Sequence, residues 1–400
     1  MDAQNPDQTL ASPHLVTAED LLRLAGAPPV TGAWRSGDPV AGRRFVSVDV
    51  ALESGVTLKD ARIAYETWGT LSAEADNAIL ILHALTGDAH VSGPSGPGQP
   101  TAGWWSDLVG PGRAVDTGRW FVVCANVLGG CQGSTGPSSQ RPNGQEWGPD
   151  FPVLTIRDQV AAQALLADRL GIRRWHAVIG GSMGGMHALE WAVSWPDRVE
   201  RCAVLAAPAA TPADQIALNH VQHEAIVSDP AFRGGRYYDS PDGPHHGLAL
   251  ARRIALLSYR SAAELEGRFG RAAQSTVSPL FGSGRFSVES YLDFHGNKFT
   301  RRFDANSYLC LMRAMNSHDV GRGRGGIATA LERITARTLV VGITTDRLFP
   351  VDAQREISAH VRTSVTGSEP HVVDSIHGHD AFLIETHDIG PLIEELLVHS

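Results

Sequence analysis

Lysine is nearly missing from this 400-residue chain: Lys59 and Lys298 are the only two. The 34 basic residues are therefore almost all arginine, scattered along the chain and outnumbered by 43 acidic ones. A formal charge of −9 with no basic stripe gives no footprint for a polyanion, so nucleic acid is not expected as a partner. Cysteine is scarce too. Cys124, Cys131, Cys202 and Cys310 are widely spaced and form no Cys-x-x-Cys pair, which leaves neither a disulfide framework nor a zinc ligand set. The first residues carry no basic stretch followed by an apolar core, so secretion is not expected and a reduced, cytoplasmic setting is. No run of about 18 apolar residues occurs, so no transmembrane helix and no membrane partner are expected.

What the chain does contain is enough apolar material, 42% of residues, for a sizeable core. Residues 1–40 are rich in Pro, Ala, Gly and Ser, with one short helical candidate at 18–24, and read as a flexible N-terminal arm. From Arg44 the chain alternates apolar and polar residues, through Phe45 to Val50 and again from Leu58 to Tyr65, as an edge hairpin does. Then come short, continuous apolar runs: 78–82, 120–123, 177–179, 203–205, 338–341 and 371–373, each of the kind that forms a fully buried strand. Helical segments separate several of them. The clearest, 156–170, has Thr155 and Asp158 as a capping pair and Gly171 at its end. This alternation implies an α/β fold with a mostly parallel sheet flanked by helices. Ligands in such sheets bind beyond the carboxyl ends of the strands.

Between Pro208 and about Ile334 the rhythm changes to helices alone, at 211–228, 247–259, 261–269, 287–294 and 305–315. We read residues 209–334 as a helical lid inserted into a core made of 41–208 and 335–400. Its surplus of apolar positions suits a dimer contact.

Within the core, Gly180-Gly181-Ser182-Met183-Gly184 stands where the run at 177–179 gives way to a helix stopped by Pro196. This is the Gly-x-Ser-x-Gly pattern of a nucleophile elbow, in which glycines let strand and helix approach while the serine hydroxyl is exposed. In a chain with 42 glycines the short match also arises by chance, so its partners decide the matter. The strand at 338–343 runs out into Asp346, and the strand at 371–374 runs into His377 and His379. Ser182, Asp346 and a histidine thus follow the chain order of α/β-hydrolase triads. A serine hydroxyl needs a histidine to take its proton, and the histidine needs a carboxylate to fix its tautomer. The oxyanion then needs backbone donors. The Met183 amide, just after the nucleophile, is one, and the Leu85 amide in the His83-Ala84-Leu85-Thr86-Gly87-Asp88 loop is the favoured second.

The stretch Asn126-Val127-Leu128-Gly129-Gly130-Cys131-Gln132-Gly133-Ser134-Thr135-Gly136-Pro137-Ser138-Ser139 is more specific than the elbow. Together with His83 to Gly87, Gly180 to Met186 and Gly378 to Leu383, it resembles homoserine O-acetyltransferases, from about residue 41 to the C-terminus. The resemblance implies the α/β-hydrolase fold and transfer of an acetyl group from acetyl-CoA to the hydroxyl of L-homoserine, by a ping-pong route through an acyl-serine, in methionine biosynthesis. It implies Ser182, Asp346 and His379 as the catalytic residues, and Arg252, Tyr259 and Asp380 as homoserine contacts. Acetyl-CoA enters as a substrate, with no permanently bound cofactor and no metal. The resemblance also implies a homodimer through the lid. An arginine fork suits the substrate carboxylate and an aspartate suits its ammonium. Histidines at 187, 220 and 223 depart from the pattern and leave room for a retuned acyl pocket. The neighbouring readings are an acyltransferase using succinyl-CoA or L-serine, and a lidded serine esterase.

Overall fold

The structure is a computed structural model that describes Val16 and residues 24–398. The helical candidate at 18–24 falls, but for Leu24, outside the described residues. Ten strands lie among the described residues: β1 (Arg44–Ala51), β2 (Thr57–Trp68), β3 (Ala78–Leu82), β4 (Val109–Gly110), β5 (Val115–Asp116), β6 (Phe121–Ala125), β7 (Ala177–Gly181), β8 (Arg201–Leu205), β9 (Arg337–Ile343) and β10 (His371–Val373). Eight of them form one sheet in the order β1-β2-β6-β3-β7-β8-β9-β10. The β1/β2 hairpin is antiparallel and pairs antiparallel to β6; from β6 to β10 all pairings are parallel. Every residue of β3, β7 and β8 is buried, as strands covered on both faces must be.

Helices α1 (Ile156–Arg169) and α2 (Met183–Ser194) connect strands of this sheet. The α1 N-terminus carries the capping box expected from Thr155 and Asp158. Between β8 and β9 lie α3 (Ala213–Val227), α4 (His245–Tyr259), α5 (Ala262–Phe269), α6 (Ser287–Phe299), α7 (Ala305–Asn316) and α8 (Ile327–Leu331), and after β9 come α9 (Val351–His360), α10 (Ala381–Ile384) and α11 (Thr386–Val398). Helix α6 continues five residues beyond the end read from the sequence. It does so through Gly296, where an added Cβ would sit 2.9 Å from the Ala249 carbonyl oxygen of α4. The missing side chain lets two helices touch backbone to backbone, and that packing outweighs the poor helical propensity of glycine. None of the described helices is long and apolar enough to cross a membrane.

One expectation is corrected here. The arm is not loose up to residue 40, because residues 31–34 are built into the fold. The Gly32 and Trp34 amides donate to the carbonyls of Phe303 (3.2 Å) and Cys131 (2.9 Å), and the Thr31 hydroxyl donates to Asp304 at 2.8 Å. Gly32 lies so close to the backbone of Arg302 and Phe303 that no side chain would fit. Small residues that read as flexible are here the condition for close packing.

The same holds at the β7–α2 turn, where a Cβ on Gly184 would collide with the Leu82 carbonyl of β3. Gly184→Ala is therefore expected to destabilise the protein by about 1–3 kcal/mol, read as a lower urea midpoint than wild type. An unchanged midpoint would mean that helix and sheet are not held at this separation.

Candidate active site

Ser182 joins β7 to α2 with φ 59° and ψ −125°, a strained conformation for a residue with a side chain. Its amide is fixed by the Leu205 carbonyl of β8 at 3.0 Å. On either side of it, a Cβ on Gly180 would collide with the Gly184 backbone and one on Gly184 with the Leu82 carbonyl, so neither could bear a side chain. The turn thus lifts the hydroxyl clear of the carboxyl end of the sheet, where two other elements meet it. The turn after β9 brings Asp346, and the 3-10 turn Gly378–Asp380 after β10 brings His379. Gly378 has φ 65° and lies against the backbone at Tyr259–Ser261 with no room for a side chain.

The three side chains form one hydrogen-bonded line. His379 Nδ1 is 2.7 Å from Asp346 Oδ2 and Nε2 is 2.8 Å from Ser182 Oγ. The other Asp346 oxygen accepts the amides of Leu348 (2.8 Å) and Phe349 (3.0 Å), so the carboxylate cannot swing away. With the Nδ1 proton donated to Asp346, Nε2 presents a lone pair to the serine O–H. Burial pulls the His379 imidazole down, but the Asp346 carboxylate outweighs it, and the group lies above the ordinary 6.5. His377, the competing candidate, lies instead between Glu264 (3.7 Å) and Glu385 (3.9 Å).

The loop after β3 is fixed from both sides. His83, whose basicity burial lowers, donates from Nδ1 to the Ala84 carbonyl at 2.8 Å and accepts the Val127 amide on Nε2 at 3.1 Å. Asn126 accepts the Ala89 amide (2.9 Å) and donates to the Gln132 carbonyl (2.8 Å), so the start of the distinctive 126–139 stretch acts as a brace behind the loop. From the insertion, Arg302 donates to the Thr86 carbonyl at 2.7 Å and to the buried Asp88 carboxylate. Leu85 is held between these ties and is buried, and Met183, the first residue of α2, is fully buried. First-turn amides such as that of Met183 have no acceptor within their own helix. Sequence reasoning did not find Arg302; its partners lie more than 200 residues away, and nothing in Thr300-Arg301-Arg302-Phe303 distinguishes it.

Arg252 and Arg253 are separated by their surroundings. Arg253 pairs with Asp293 at 3.2 Å. Arg252 instead lies over the rings of Tyr259 (5.5 Å) and Phe299 (5.1 Å) and lines a cavity of about 320 Å³ shared with Ala84, Thr86, Trp104 and Leu383. The Tyr259 ring is 5.8 Å from that of His379. Asp380 meets Arg260 at 3.3 Å, a partner that sequence reasoning missed. The histidines that depart from the family pattern lie elsewhere. His187 is fully buried and bonds to Gln159 at 2.8 Å. His220 and His223 are exposed on α3 beside a larger cavity, about 610 Å³, that shares no lining residue with the first. With Glu224 they bring ligand atoms within 4.8 Å of one another, the group of side chains among the described residues that could hold a metal ion.

A serine on a strained strand-to-helix turn, followed in chain order by an aspartate and a histidine at the sheet's carboxyl edge, is the arrangement of the α/β-hydrolase class, and a family model described as the alpha/beta hydrolase fold matches residues 77–386. Within that class the chain belongs to the homoserine O-acetyltransferase family. It is 60% identical to a homoserine O-acetyltransferase of Leifsonia xyli subsp. xyli, with 99% of each chain covered. Among solved structures, a homoserine O-acetyltransferase from Bacillus anthracis is similar at 30% identity and a TM-score of 0.81, covering 90% of this chain and 98% of its own. Esterase E22 is similar at 28% identity and a TM-score of 0.80, covering 89% and 99%.

A hydroxyl held 2.8 Å from an imidazole nitrogen is set up to give up its proton whenever that ring is unprotonated, so the rate should fall as the imidazole takes up a proton. In wild type the acid limb of kcat/KM is expected to have its midpoint above 6.5, the direction in which Asp346 moves His379. Asp346→Asn removes the main opposition to burial and leaves only the weaker pull of Asp380, so the midpoint should move down while kcat drops by about 10⁴ through loss of the correct tautomer. A pH–rate series on both proteins checks this; an acid limb that stays in place would exclude His379 as the titrating group.

Proposed function

We propose that this chain transfers an acetyl group from acetyl-CoA to the hydroxyl of L-homoserine, as a step of methionine biosynthesis in the cytoplasm. The observation that carries the reading is the Asp346–His379–Ser182 line in a chain 60% identical over its length to a homoserine O-acetyltransferase. In the first half-reaction His379 Nε2 takes the Ser182 proton as Oγ bonds to the thioester carbon. The Leu85 and Met183 amides hold the oxyanion, a donor of this kind being worth about 10²–10³ in rate. Collapse breaks the C–S bond, His379 protonates the departing thiolate, and acetyl-Ser182 remains. In the second half, His379 takes the homoserine hydroxyl proton, the oxygen attacks the acetyl carbon, and Ser182 regains its proton as the O-acetyl product leaves.

The substrate roles follow from charge. Arg252 receives the amino-acid carboxylate beside Tyr259, and Asp380 receives the ammonium while retaining Arg260. Residues 209–334 act as a lid over a core of 41–208 and 335–400 and keep competing water from the acyl-serine. The lid also supports a homodimer, since Val221 of α3 and Leu257 of α4 remain 53% and 47% exposed. The four cysteines are unpaired, in keeping with a reduced compartment. An esterase is the second reading, favoured by the closeness of esterase E22 in fold.

Thiol release separates the two. With wild type, rapid release is expected only when acetyl-CoA and L-homoserine are both present, and Ser182→Ala should lose at least about 10⁴ of that rate. Equal release without an acceptor would make water the acceptor and the esterase reading correct. A preference for succinyl-CoA or L-serine would keep the mechanism and change the substrate.

A further inference from the structure

The 320 Å³ cavity beside the loop after β3 holds three cations, Arg252, Lys298 and Arg302, and one carboxylate, Asp88. Their commitments differ. Arg302 is paired with Asp88 and bonded to the Thr86 carbonyl. Arg252 is half-buried over the rings of Tyr259 and Phe299 and comes within 3.5 Å of the Thr86 hydroxyl. Lys298, in the last turn of α6, is exposed and its ammonium lies 5.9 Å from the Phe294 ring; no carboxylate among the described residues pairs with it. His295, one turn earlier on the same helix face, lines the cavity as well. Its burial, reinforced by Arg252 and Lys298, pushes it down to about 3, so it contributes a neutral wall and not a fourth charge.

We propose that Lys298 binds the phosphorylated end of the acyl donor at the outer rim of this cavity, so that the thioester reaches Ser182 along the wall formed by Ala84, Thr86 and Trp104. This rests on the proposed acetyl-CoA reaction and adds a residue that selects the carrier. The donor brings several phosphate charges and the acceptor one carboxylate. With Arg302 neutralised by Asp88, and Arg252 beside Tyr259 and the base where the small acceptor must sit, Lys298 is the remaining uncommitted cation at this cavity. An ammonium on a flexible stem is a point charge that suits a phosphate arriving from solvent, whereas a bidentate fork suits a fixed carboxylate. The position is not a by-product of a lysine-rich surface, since the chain has only one other lysine, Lys59.

The test compares wild type, Lys298→Gln, Lys298→Arg and Lys59→Gln with three thioesters and L-homoserine: acetyl-CoA, acetyl-dephospho-CoA and S-acetyl-N-acetylcysteamine, which carries no phosphate. Lys298→Gln should raise the KM for acetyl-CoA about 3–10-fold, flatten its dependence on salt and leave the KM for homoserine in place. Lys298→Arg should recover most of the loss, and Lys59→Gln, with the same change in net charge, should match wild type. A smaller effect of Lys298→Gln with acetyl-dephospho-CoA than with acetyl-CoA assigns the contact to the 3′-phosphate, and an equal effect assigns it to the diphosphate. An unchanged KM for acetyl-CoA, or an equal rise with the phosphate-free thioester, overturns the proposal. Wild-type protein that releases no thiol from acetyl-CoA would overturn the acetyl-transfer reading itself.

Discussion

Ser182 must hold φ at 59° for its hydroxyl to stand beyond the sheet, and most of what surrounds it exists to bear that strain. A backbone this far from the ordinary regions costs of order 1–3 kcal/mol and persists only where neighbours leave it no alternative. Here β7 enters between β3 and β8, Leu205 fixes the serine amide, and Gly180 and Gly184 approach where no methyl would fit. The rigid central strands therefore hold Ser182, while Asp346 and His379 arrive on loops after the outer strands β9 and β10. Two bonds to Asp346 Oδ1 and the close approach at Gly378 give those loops the precision of the strands.

A second set of forces joins the insertion to the core. Arg302 leaves the insertion just after α6 and enters the loop after β3, where it satisfies a carbonyl and a buried carboxylate at once. Removing the arginine would strand Asp88 as an uncompensated buried charge, the costly way to break such a pair. Asn126 and the Val127 amide tie the same loop, through Ala89 and His83, to the 126–139 stretch. The loop after β3 is thus held by polar groups from both parts of the chain, so its shape depends on how the insertion sits.

The core was legible in the sequence because its signals are local. The runs at 78–82 and 371–373 are the strands β3 and β10 to the residue, and the Thr155–Asp158 cap lies where the pattern put it. Chain order grouped Ser182 and Asp346 with a histidine, and the structure joins them by hydrogen bonds; on the residues alone His379 could not be separated from His377. What escaped is what depends on distant partners. Gly296 reads as a helix end and is a contact point between α4 and α6; Gly32 reads as arm and is wedged against Arg302. Arg260 and Arg302 carry no local mark, because an ion pair across more than a hundred residues leaves none in sequence.

The scarcity of lysine has a practical side. An amine-directed label or crosslinker finds only two ε-amines in 400 residues, and one of them, Lys298, borders the cavity beside the loop after β3. Most proteins of this size would need extensive mutagenesis before a lysine reagent reported from a single place. Here a single Lys59 substitution leaves Lys298 as the sole side-chain amine, so a fluorophore or spin label can be set at the rim of that cavity with almost no change to the chain.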